Sequence, residues 1–352
     1  MRLFRCDACD NTVHFDNTVC VACARRLGWF PDAFAMTALE PVGDHLRSPH
    51  LGRDFVYCAN AAHDACNWLL PIERAGELCP ACRHNRTIPA LDVADNLAAF
   101  RRITRDERHL FYSLLRWGLD APTKSEDPVA GLAFDFLADA VAADGTLVPV
   151  TTGHADGVIT LAISEADDAE RERRRTDLGE PYRTLLGHFR HEIGHYFWDR
   201  LVRDGGRLDA FRAVFGDERA DYGAALARHY DLGPPPNWSQ NFVSAYASAH
   251  PWEDFAETWA HHMHMVDALE TARAFGLELA PHGAAGETLA LEVDFDPYRV
   301  ADFGRLATAW PPLTVALNAI NRSLGQRDVY PFVSTPTIEA KLAFVHGLLP
   351  SV

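Results

Sequence analysis

The segment His191-Glu192-Ile193-Gly194-His195 contains the residues of this chain whose types and spacing are best suited to chemistry. On a helix, two histidines four residues apart lie on the same face, one turn from each other. At that spacing two imidazoles can bind one zinc ion, and Glu192 lies close enough to accept a proton from a zinc-bound water. The pattern therefore predicts a zinc site at His191 and His195, with Glu192 as the general base.

The alternative for this pair is two hydrogen-bonded histidines in an ordinary core. Apolar residues spread around much of the predicted helix, which should therefore be largely buried; they are Leu185, Leu186, Phe189, Ile193, Phe197 and Leu201. A buried glutamate between two buried histidines needs a compensating partner, and a metal ion supplies one. Residues 177–181 carry start signals for this helix, with acidic residues before a proline.

The third zinc ligand decides the class of site. The HExxHxxGxxH pattern of metzincins requires glycine and histidine where this chain has Trp198 and Leu201, so that class is excluded. A second class takes a glutamate from another helix, and the downstream candidates are Glu218, Glu253 and Glu257.

Glu253 and Glu257 are the better candidates because they lie four residues apart and share a helix face. One carboxylate can bind zinc while the other accepts the N–H of a zinc-bound histidine, which orients that imidazole. His250-Pro251 indicates the start of their helix. Three histidines follow, and we expect them at the surface or around the site and not as ligands; they are His261, His262 and His264.

All eight cysteines lie in the N-terminal part of the chain and form two sets. Two Cys-x2-Cys pairs separated by ten residues are typical of a zinc ribbon with four thiolate ligands; this first set is Cys6, Cys9, Cys20 and Cys23. The second set has one regular pair and one irregular half, where His63 is an alternative ligand; it is Cys58, Cys66, Cys79 and Cys82.

Zinc is the expected ion in both sets. Disulfides are disfavoured in a chain without an export signal, and four-thiolate sites without redox partners more often hold zinc than iron. Four protein ligands leave no open coordination position, so both ions are predicted to be structural. Residues 1–90 carry nine arginines, no lysine and ten acidic residues, which is not the basic face that nucleic acid requires. Docking of a protein and a purely structural role both stay open for these ribbons.

The composition is that of a soluble globular protein, with 48% hydrophobic and 23% charged residues among 352. A net charge of −16 disfavours nucleic acid and anionic membranes as partners. No apolar run reaches the length of a membrane span, and the N-terminal segment is not apolar, so we expect a cytoplasmic protein.

Hydrophobic periodicity predicts the elements around these residues. The pattern indicates one long amphipathic helix over about 96–119 and a second helix over 131–145, ended by Gly145. Residues 146–164 are rich in valine, threonine and isoleucine and predict a hairpin with its turn at 154–157. Two amphipathic helices are predicted near the C-terminus, over 310–326 and 335–349.

The segments HEIGHYFWD and EDFAETWA together resemble the gluzincin clan of zinc peptidases, which includes thermolysin and the protease domain of anthrax lethal factor. Over nearly its whole length the chain is similar to a family of bacterial zinc metallopeptidases headed by zinc ribbons. The segments that carry this similarity are CDAC, CVAC, CPACRHNRTIP, EPYRTLLGHFRHEIGHYFWDRL, FGDERADY and PWEDFAETWAHHMHM. The resemblance implies that Glu253 is the third zinc ligand, with Glu257 as the outer carboxylate. It also implies that Tyr246 donates a hydrogen bond to the transition state.

An α+β fold, mainly α, is expected, in which zinc-ribbon modules precede a zincin-like metallopeptidase domain with a small sheet and a helical core. The expected limits are residues 1–50 and 51–92 for the two ribbons and 93–352 for the metallopeptidase domain.

The predicted function is zinc-dependent hydrolysis of peptide bonds in a peptide or protein substrate, with one catalytic and two structural zinc ions. His191, His195 and Glu253 hold the catalytic ion, and Glu192 passes the proton of the attacking water to the leaving amine. The competing hypothesis is a zinc-stabilised docking protein, or a latent enzyme, whose peptidase-like fold does not cleave. The presence of Glu192 favours the enzyme.

Overall fold

The computed structural model describes residues 2–141, 144, 146–148, 150, 152–177, 182–283 and 286–350. Helices predominate among these residues, and the predicted α+β class, mainly α, is confirmed. The helices are α1 (Ala94–Trp117), α2 (Asp168–Asp177), α3 (Leu185–Phe197), α4 (Leu208–Phe215), α5 (Tyr222–Leu232), α6 (Trp238–Asn241), α7 (Pro251–Ala274), α8 (Gly286–Leu289), α9 (Phe303–Ser323) and α10 (Pro336–Leu348). The strands are β1 (Phe4–Arg5), β2 (Thr12–Val13), β3 (Arg26–Phe30), β4 (Ala35–Val42), β5 (His45–Ser48), β6 (Arg53–Tyr57), β7 (Leu69–Pro71), β8 (Asn85–Thr87), β9 (Ala133–Leu137), β10 (Ala140–Val141), β11 (Leu147–Val148), β12 (Gly153–Ala155), β13 (Val158–Ala162), β14 (Glu278–Leu279) and β15 (Leu291–Glu292).

The chain divides into two compact units. The first unit is Met1–Leu115, Ala121–Gly153 and Val158–Asp168, and the second is Arg116–Asp120, His154–Gly157 and Ala169–Val352. The domain limits at residues 50, 92 and 352 stay predictions.

An antiparallel sheet of five strands, β3 to β7 in chain order, forms much of the first unit. Its β5 and β6 pair with each other on either side of the predicted limit at residue 50. The N–H of Trp29 in β3 donates to the carbonyl of Asn67 at 3.0 Å, beside a bridge between Trp29 and Trp68. The first and last strands of this sheet therefore approach each other, and the sheet curls.

Helix α1, which the sequence predicted correctly as one long helix, contributes to the core of the first unit. The ring centroid of Tyr112 lies 5.5 Å from that of Phe15 and 6.2 Å from that of Trp29. The ring centroids of Trp29 and Trp68 lie 4.4 Å apart with the rings tilted by 47°, and neither these residues nor Tyr112 have any exposed surface. The aromatic cluster at the curled sheet is therefore closed by a residue of α1.

The helix predicted over 131–145 is wrong, because residues 133–137 form the strand β9. This strand pairs in parallel with β8 and with β13. Phe134 and Phe136 have no exposed surface and Asp135 is 8% exposed, so both faces of β9 are covered. A strand buried on both faces lacks the alternation that distinguishes it from a helix in a sequence. The predicted helix end at Gly145 lies outside the described residues.

The second unit is mainly helical. Helix α7 begins at Pro251 after His250, as predicted, and α9 and α10 confirm the two predicted C-terminal helices. Helix α3 begins at Leu185, where the hydroxyl of Thr184 accepts the N–H of Gly187 at 2.9 Å. Of the predicted start signals for α3, residues 178–181 lie outside the described residues. None of the helices among the described residues is long and apolar enough to span a membrane.

Replacing Tyr112 by alanine is expected to lower the free energy of unfolding by about 3–5 kcal/mol, the range for removing a large buried aromatic side chain. The loss arises because the aromatic cluster would keep a cavity where the ring of Tyr112 lies. Urea denaturation followed by tryptophan fluorescence measures it, since Trp29 and Trp68 belong to the same cluster. The control is Val129→Ala, at a side chain 84% exposed. Equal midpoints for the two variants would contradict the role of α1 in this core.

Candidate metal centre

Helices α3 and α7 bring His191, His195 and Glu253 together at one point. The Nε2 atoms of the two histidines are 3.2 Å apart. Oε2 of Glu253 lies 3.0 Å from Nε2 of His191 and 3.5 Å from Nε2 of His195. Three potential ligand atoms from two helices far apart in the sequence thus form a nearly equilateral triangle.

The spacing of this triangle fits a tetrahedral zinc ion. Ligand bonds of about 2.0–2.1 Å at tetrahedral angles separate neighbouring ligand atoms by about 3.3 Å. Glu253 is 1% exposed, and its Oε2 is buried without a hydrogen-bond partner among the described residues. Two imidazoles and one carboxylate are the ligands of many zinc sites that leave a fourth position open. The donor set, its spacing and the unsatisfied oxygen all fit zinc.

Gly194 allows the two helices to approach closely enough for this triangle to form. A Cβ atom at residue 194 would lie 3.0 Å from Cα of Ala256 and 3.2 Å from Cβ of Trp259. It would also lie 3.3 Å from the carbonyl oxygen of Ala256. Two of these atoms belong to the backbone of α7 and the third is the Cβ of Trp259, so a side chain at residue 194 would push α7 away by a few tenths of an ångström.

Glu257 orients His191 from the side opposite Glu253. Its Oε1 lies 2.6 Å from Nδ1 of His191, and its Oε2 accepts the hydroxyl of Ser244 at 2.5 Å. With Glu257 as acceptor, the N–H of the imidazole is at Nδ1, and Nε2 keeps its lone pair for a metal. The outer carboxylate predicted at Glu257 lies in the expected contact. Ser244 carries no signal in the sequence that could have linked it to this site.

The electrostatics of the site call for a cation. Although burial disfavours an imidazolium, the nearby carboxylates of Glu253 and Glu257 raise the pKa of His191 well above its usual value. Burial likewise opposes ionised carboxylates, yet the charges of His195 and His191 lower the pKa of Glu253 well below its usual value. The hydrogen bond to His191 lowers the pKa of Glu257 to about 2, against the effect of burial. Two buried carboxylates stay ionised beside the histidines, and a proton or a metal ion balances them.

Glu192 lies on α3 beside the triangle without being part of it. It is 6% exposed, and its Oε2 is buried without a hydrogen-bond partner among the described residues. Burial raises the pKa of this carboxyl above its usual value, although the charges of His191 and His195 oppose the rise. A basic, water-poor carboxylate of this kind is suited to accept and return a proton.

Two tyrosines lie at the site, of which the sequence indicated one. The ring centroid of Tyr246 is 5.9 Å from that of His191. Tyr222, the first residue of α5, donates its hydroxyl to Oε1 of Glu253 at 2.6 Å. The sequence missed Tyr222, because no spacing rule connects α5 with a glutamate in α7.

The other sequence candidates lie apart from the triangle. Glu218 forms an ion pair with Arg212 and is not part of the ligand group. His261, His262 and His264 are also outside the group. Of the two expected placements, at the surface or around the site, the surface does not apply to His261, which is 5% exposed with its Nδ1 2.6 Å from the hydroxyl of Tyr330. It does not apply to His262 either, which is 1% exposed with its Nε2 3.1 Å from Nδ1 of His346. That these histidines are not zinc ligands stays a prediction. Long helices such as α7 bury polar side chains where tertiary partners exist, which sequence spacing does not reveal.

The first cysteine set converges in the first unit. Sγ atoms of Cys6 and Cys23 lie 3.8 Å apart, and those of Cys9 and Cys20 lie 3.6 Å apart. Thiolates bound to zinc at about 2.3 Å in a tetrahedron are separated by about 3.8 Å. The pKa of Cys20 is lowered to about 6, mainly by the backbone N–H of Cys23, which favours the thiolate form.

The second cysteine set also converges, and His63 is not part of it. Its members, all buried, are Cys58, Cys66, Cys79 and Cys82. His63 is exposed at the end of a short turn. Hydrogen bonds within the group lower the pKa of Cys58, whereas burial raises that of Cys79 well above its usual value. Without a cation the group holds few negative charges, and a divalent ion allows all four to be thiolates.

Comparisons with known proteins match two family models to this chain. The sequence model of a family described as "Putative zinc-binding metallo-peptidase" matches residues 96–348, and that of a zinc-ribbon domain matches residues 3–93. Uncharacterized proteins of Mycobacterium tuberculosis and Mycobacterium bovis are each 40% identical over 353 residues, which covers 100% of this chain and 96% of the relative. No solved structure matches the chain.

Replacing Gly194 by alanine is expected to separate α3 from α7 and to destabilise the second unit by about 1–3 kcal/mol, as overpacking does. Differential scanning calorimetry gives the stability, and a zinc titration shows weaker binding at the His–Glu group. Gly347→Ala is the control, because a Cβ there meets no atom within 4 Å. Wild-type zinc affinity in Gly194→Ala would rule out the close crossing as a requirement of the site.

Proposed function

The chain belongs to this family of zinc-binding metallopeptidases, and on that premise we propose that it hydrolyses peptide bonds at the His191–His195–Glu253 group. The observation that carries the proposal is the triangle of ligand atoms with sides of 3.0, 3.2 and 3.5 Å, beside which Glu192 is buried. Three ligands leave a position open for chemistry, in contrast to the four cysteines of each other group.

His191, His195 and Glu253 would hold the zinc ion, as in gluzincins, whose third ligand is a glutamate of a second helix. A bound zinc ion supplies a Lewis acid that polarises a carbonyl group and lowers the pKa of water to about 7. Glu257 keeps the imidazole of His191 in the tautomer that leaves Nε2 free, through the 2.6 Å contact at Nδ1. Ser244 and its hydrogen bond at 2.5 Å hold Glu257 in turn.

Glu192 is the proposed general base and acid. Its carboxylate accepts the proton of the attacking water and then gives it to the leaving amine. Burial raises the pKa of this carboxyl, which makes it a better proton acceptor than an exposed glutamate. The absence of a hydrogen-bond partner for its Oε2 among the described residues leaves that oxygen available for the water.

Tyr246 is the proposed donor to the oxyanion that develops on the scissile carbonyl. Its ring lies 5.9 Å from the ring of His191, which brings the side chain to the edge of the ligand group. Burial and the charge of Glu253 raise its pKa far above the usual range, so the hydroxyl keeps its proton and can donate. A donor placed for the transition state contributes about 3 kcal/mol.

The two cysteine groups are proposed to hold one structural zinc ion each, which gives three zinc ions per chain. All four ligands in each group are cysteines of the N-terminal segment, and neither group retains an open position. The residue limits 1–50, 51–92 and 93–352 are proposed for the two ribbons and the metallopeptidase domain.

Glu192→Gln is expected to keep three zinc ions per chain and to lower peptide cleavage by about 10²–10⁴-fold, the usual contribution of a positioned acid or base. The amide has nearly the same shape but cannot accept the proton. Incubation of wild type and variant with a peptide library, read by mass spectrometry, measures cleavage, and elemental analysis of the same samples measures zinc.

Two results would contradict the proposed function. Equal cleavage by wild type and Glu192→Gln would exclude Glu192 as the base. A wild type that is fully loaded with zinc and cleaves no peptide would favour the docking hypothesis.

Tyr246→Phe is expected to lower kcat by about 10²-fold at a nearly unchanged KM, because the lost hydrogen bond forms only in the transition state. Steady-state kinetics on a peptide identified in the library give both constants. Tyr57→Phe, which removes a hydroxyl bonded to the carbonyl of Leu27 in the first unit, is the matched control. Unchanged turnover in Tyr246→Phe would make Tyr246 a core tyrosine.

A further inference from the structure

The two oxygens of the Glu253 carboxylate have different environments. Oε2 faces His191 and His195 at 3.0 and 3.5 Å. Oε1 accepts the hydroxyl hydrogen of Tyr222 at 2.6 Å. Glu253 is 1% exposed, so both of its oxygens lie away from bulk water while Tyr222 is in place.

We propose that Tyr222 is a positioning residue, which fixes the carboxylate of Glu253 so that one oxygen alone faces the metal. This inference rests on the proposed function of the His191–His195–Glu253 group. A carboxylate can bind a metal through one oxygen or through both, and a hydrogen bond to one oxygen favours the first mode. Binding through one oxygen keeps the number of protein ligand atoms at three and leaves room for water and substrate.

A helix cap and two ring contacts fix the position of Tyr222. Asp221 caps α5 by accepting the N–H of Ala224 at 2.8 Å, which fixes the helix start at Tyr222. The ring of Tyr222 packs edge-on against His250 at 5.3 Å and Trp252 at 5.7 Å, measured between centroids.

His250 connects the start of α7 with the segment before α5. Its Nδ1 accepts the N–H of Trp252 at 3.1 Å, which caps α7. The ring proton is therefore at Nε2, which donates to the carbonyl of Ala220 at 3.0 Å. One imidazole thus holds the backbone on both sides of the contact between Tyr222 and Glu253.

A tyrosine hydroxyl suits this contact better than a charged donor would. An arginine or lysine at residue 222 would compete with the metal for the negative charge of Glu253. The hydroxyl of a tyrosine is a neutral donor near pH 7, because its usual pKa is about 10. The carboxylate therefore keeps its full charge for the ion.

The two tyrosines of the site then have separate tasks. The hydroxyl hydrogen of Tyr222 is committed to Glu253, so it is not available to a substrate oxygen. The ring of Tyr246 lies beside that of His191, and its hydroxyl interacts with the hydroxyl of Tyr222. Loss of the Tyr222 hydroxyl should affect metal binding, and loss of the Tyr246 hydroxyl should affect turnover.

The test is the zinc affinity of Tyr222→Phe, measured in the full chain by competition with a chelator. The two cysteine groups retain their ions and provide an internal reference, while the third equivalent is expected to bind about 10–100-fold more weakly than in wild type. Tyr246→Phe, and Tyr230→Phe at a side chain 63% exposed in the same helix α5, are expected to bind it as wild type does.

A second measurement detects the binding mode of Glu253 at saturating metal, whatever the affinity. Cobalt is placed in the third site of protein whose cysteine groups hold zinc. Wild type should give the strong visible absorption of a four-coordinate ion, and Tyr222→Phe a weaker band because the second carboxylate oxygen can bind.

The outcomes separate this inference from the proposed function. Three zinc ions in wild type, with the affinity and the cobalt spectrum of Tyr222→Phe unchanged, would overturn the role of Tyr222 alone. Only two zinc ions in wild type would overturn the proposed function, and this inference with it. A weaker third site that is specific to Tyr222→Phe supports the positioning role.

Discussion

The packing of α3 against α7 in the second unit depends on how the negative charges of two buried carboxylates are compensated. Glu253 and Glu257 lie on one face of α7 with little exposed surface, and His191 lies between them with one nitrogen toward each. Burial of two negative charges costs several kcal/mol per ion unless cationic or hydrogen-bonding partners replace water. Ser244 and Tyr222 satisfy the outer oxygens, and Gly194 lets α3 approach closely enough for the imidazoles to meet the inner ones. Only a cation completes this arrangement.

The cysteine groups differ from the His–Glu group in how buried negative charge is avoided or compensated. Thiol groups can stay neutral, so a buried set of four tolerates the absence of a metal better than two ionised carboxylates do. Backbone N–H groups point at the sulfurs, as from Trp68 to Cys66 at 3.5 Å and from Cys79 to Cys58 at 3.3 Å. Arg108, which is 6% exposed, lies near the second cysteine group. Four thiolates and one divalent ion together carry a net negative charge, which the positive charge of Arg108 offsets. Four cysteine ligands can fill the coordination of a zinc ion without water, whereas the three ligands of the His–Glu group leave one position for it.

Much of the fold and of the three groups of candidate metal ligands could be predicted because their sequence signals are local. The spacing of the two histidines and of the paired cysteines can be recognised within a few residues of sequence. The segments of α1, α9 and α10 show clear helical periodicity. The strand β9 could not be predicted, since burial on both faces removes the alternation that identifies a strand. The contact from Tyr222 to Glu253 could not be predicted either, because it depends on how α5 packs near the start of α7. Burial of His261 and His262 has the same origin, as their partners Tyr330 and His346 are distant in sequence.

The match to the metallopeptidase family begins at residue 96, yet α1 up to Leu115 is counted with the cysteine groups. The reason is physical, since Tyr112 fills the aromatic cluster of the curled sheet and Thr104 donates to the carbonyl of Ala65 at 2.9 Å. A segment that ended at residue 92 would contain all eight cysteines but would lack the helix that covers its core. Sequence modules and compact units therefore differ here, because a small metal-bound segment buries too little apolar surface alone and uses the next helix of the chain to complete its core.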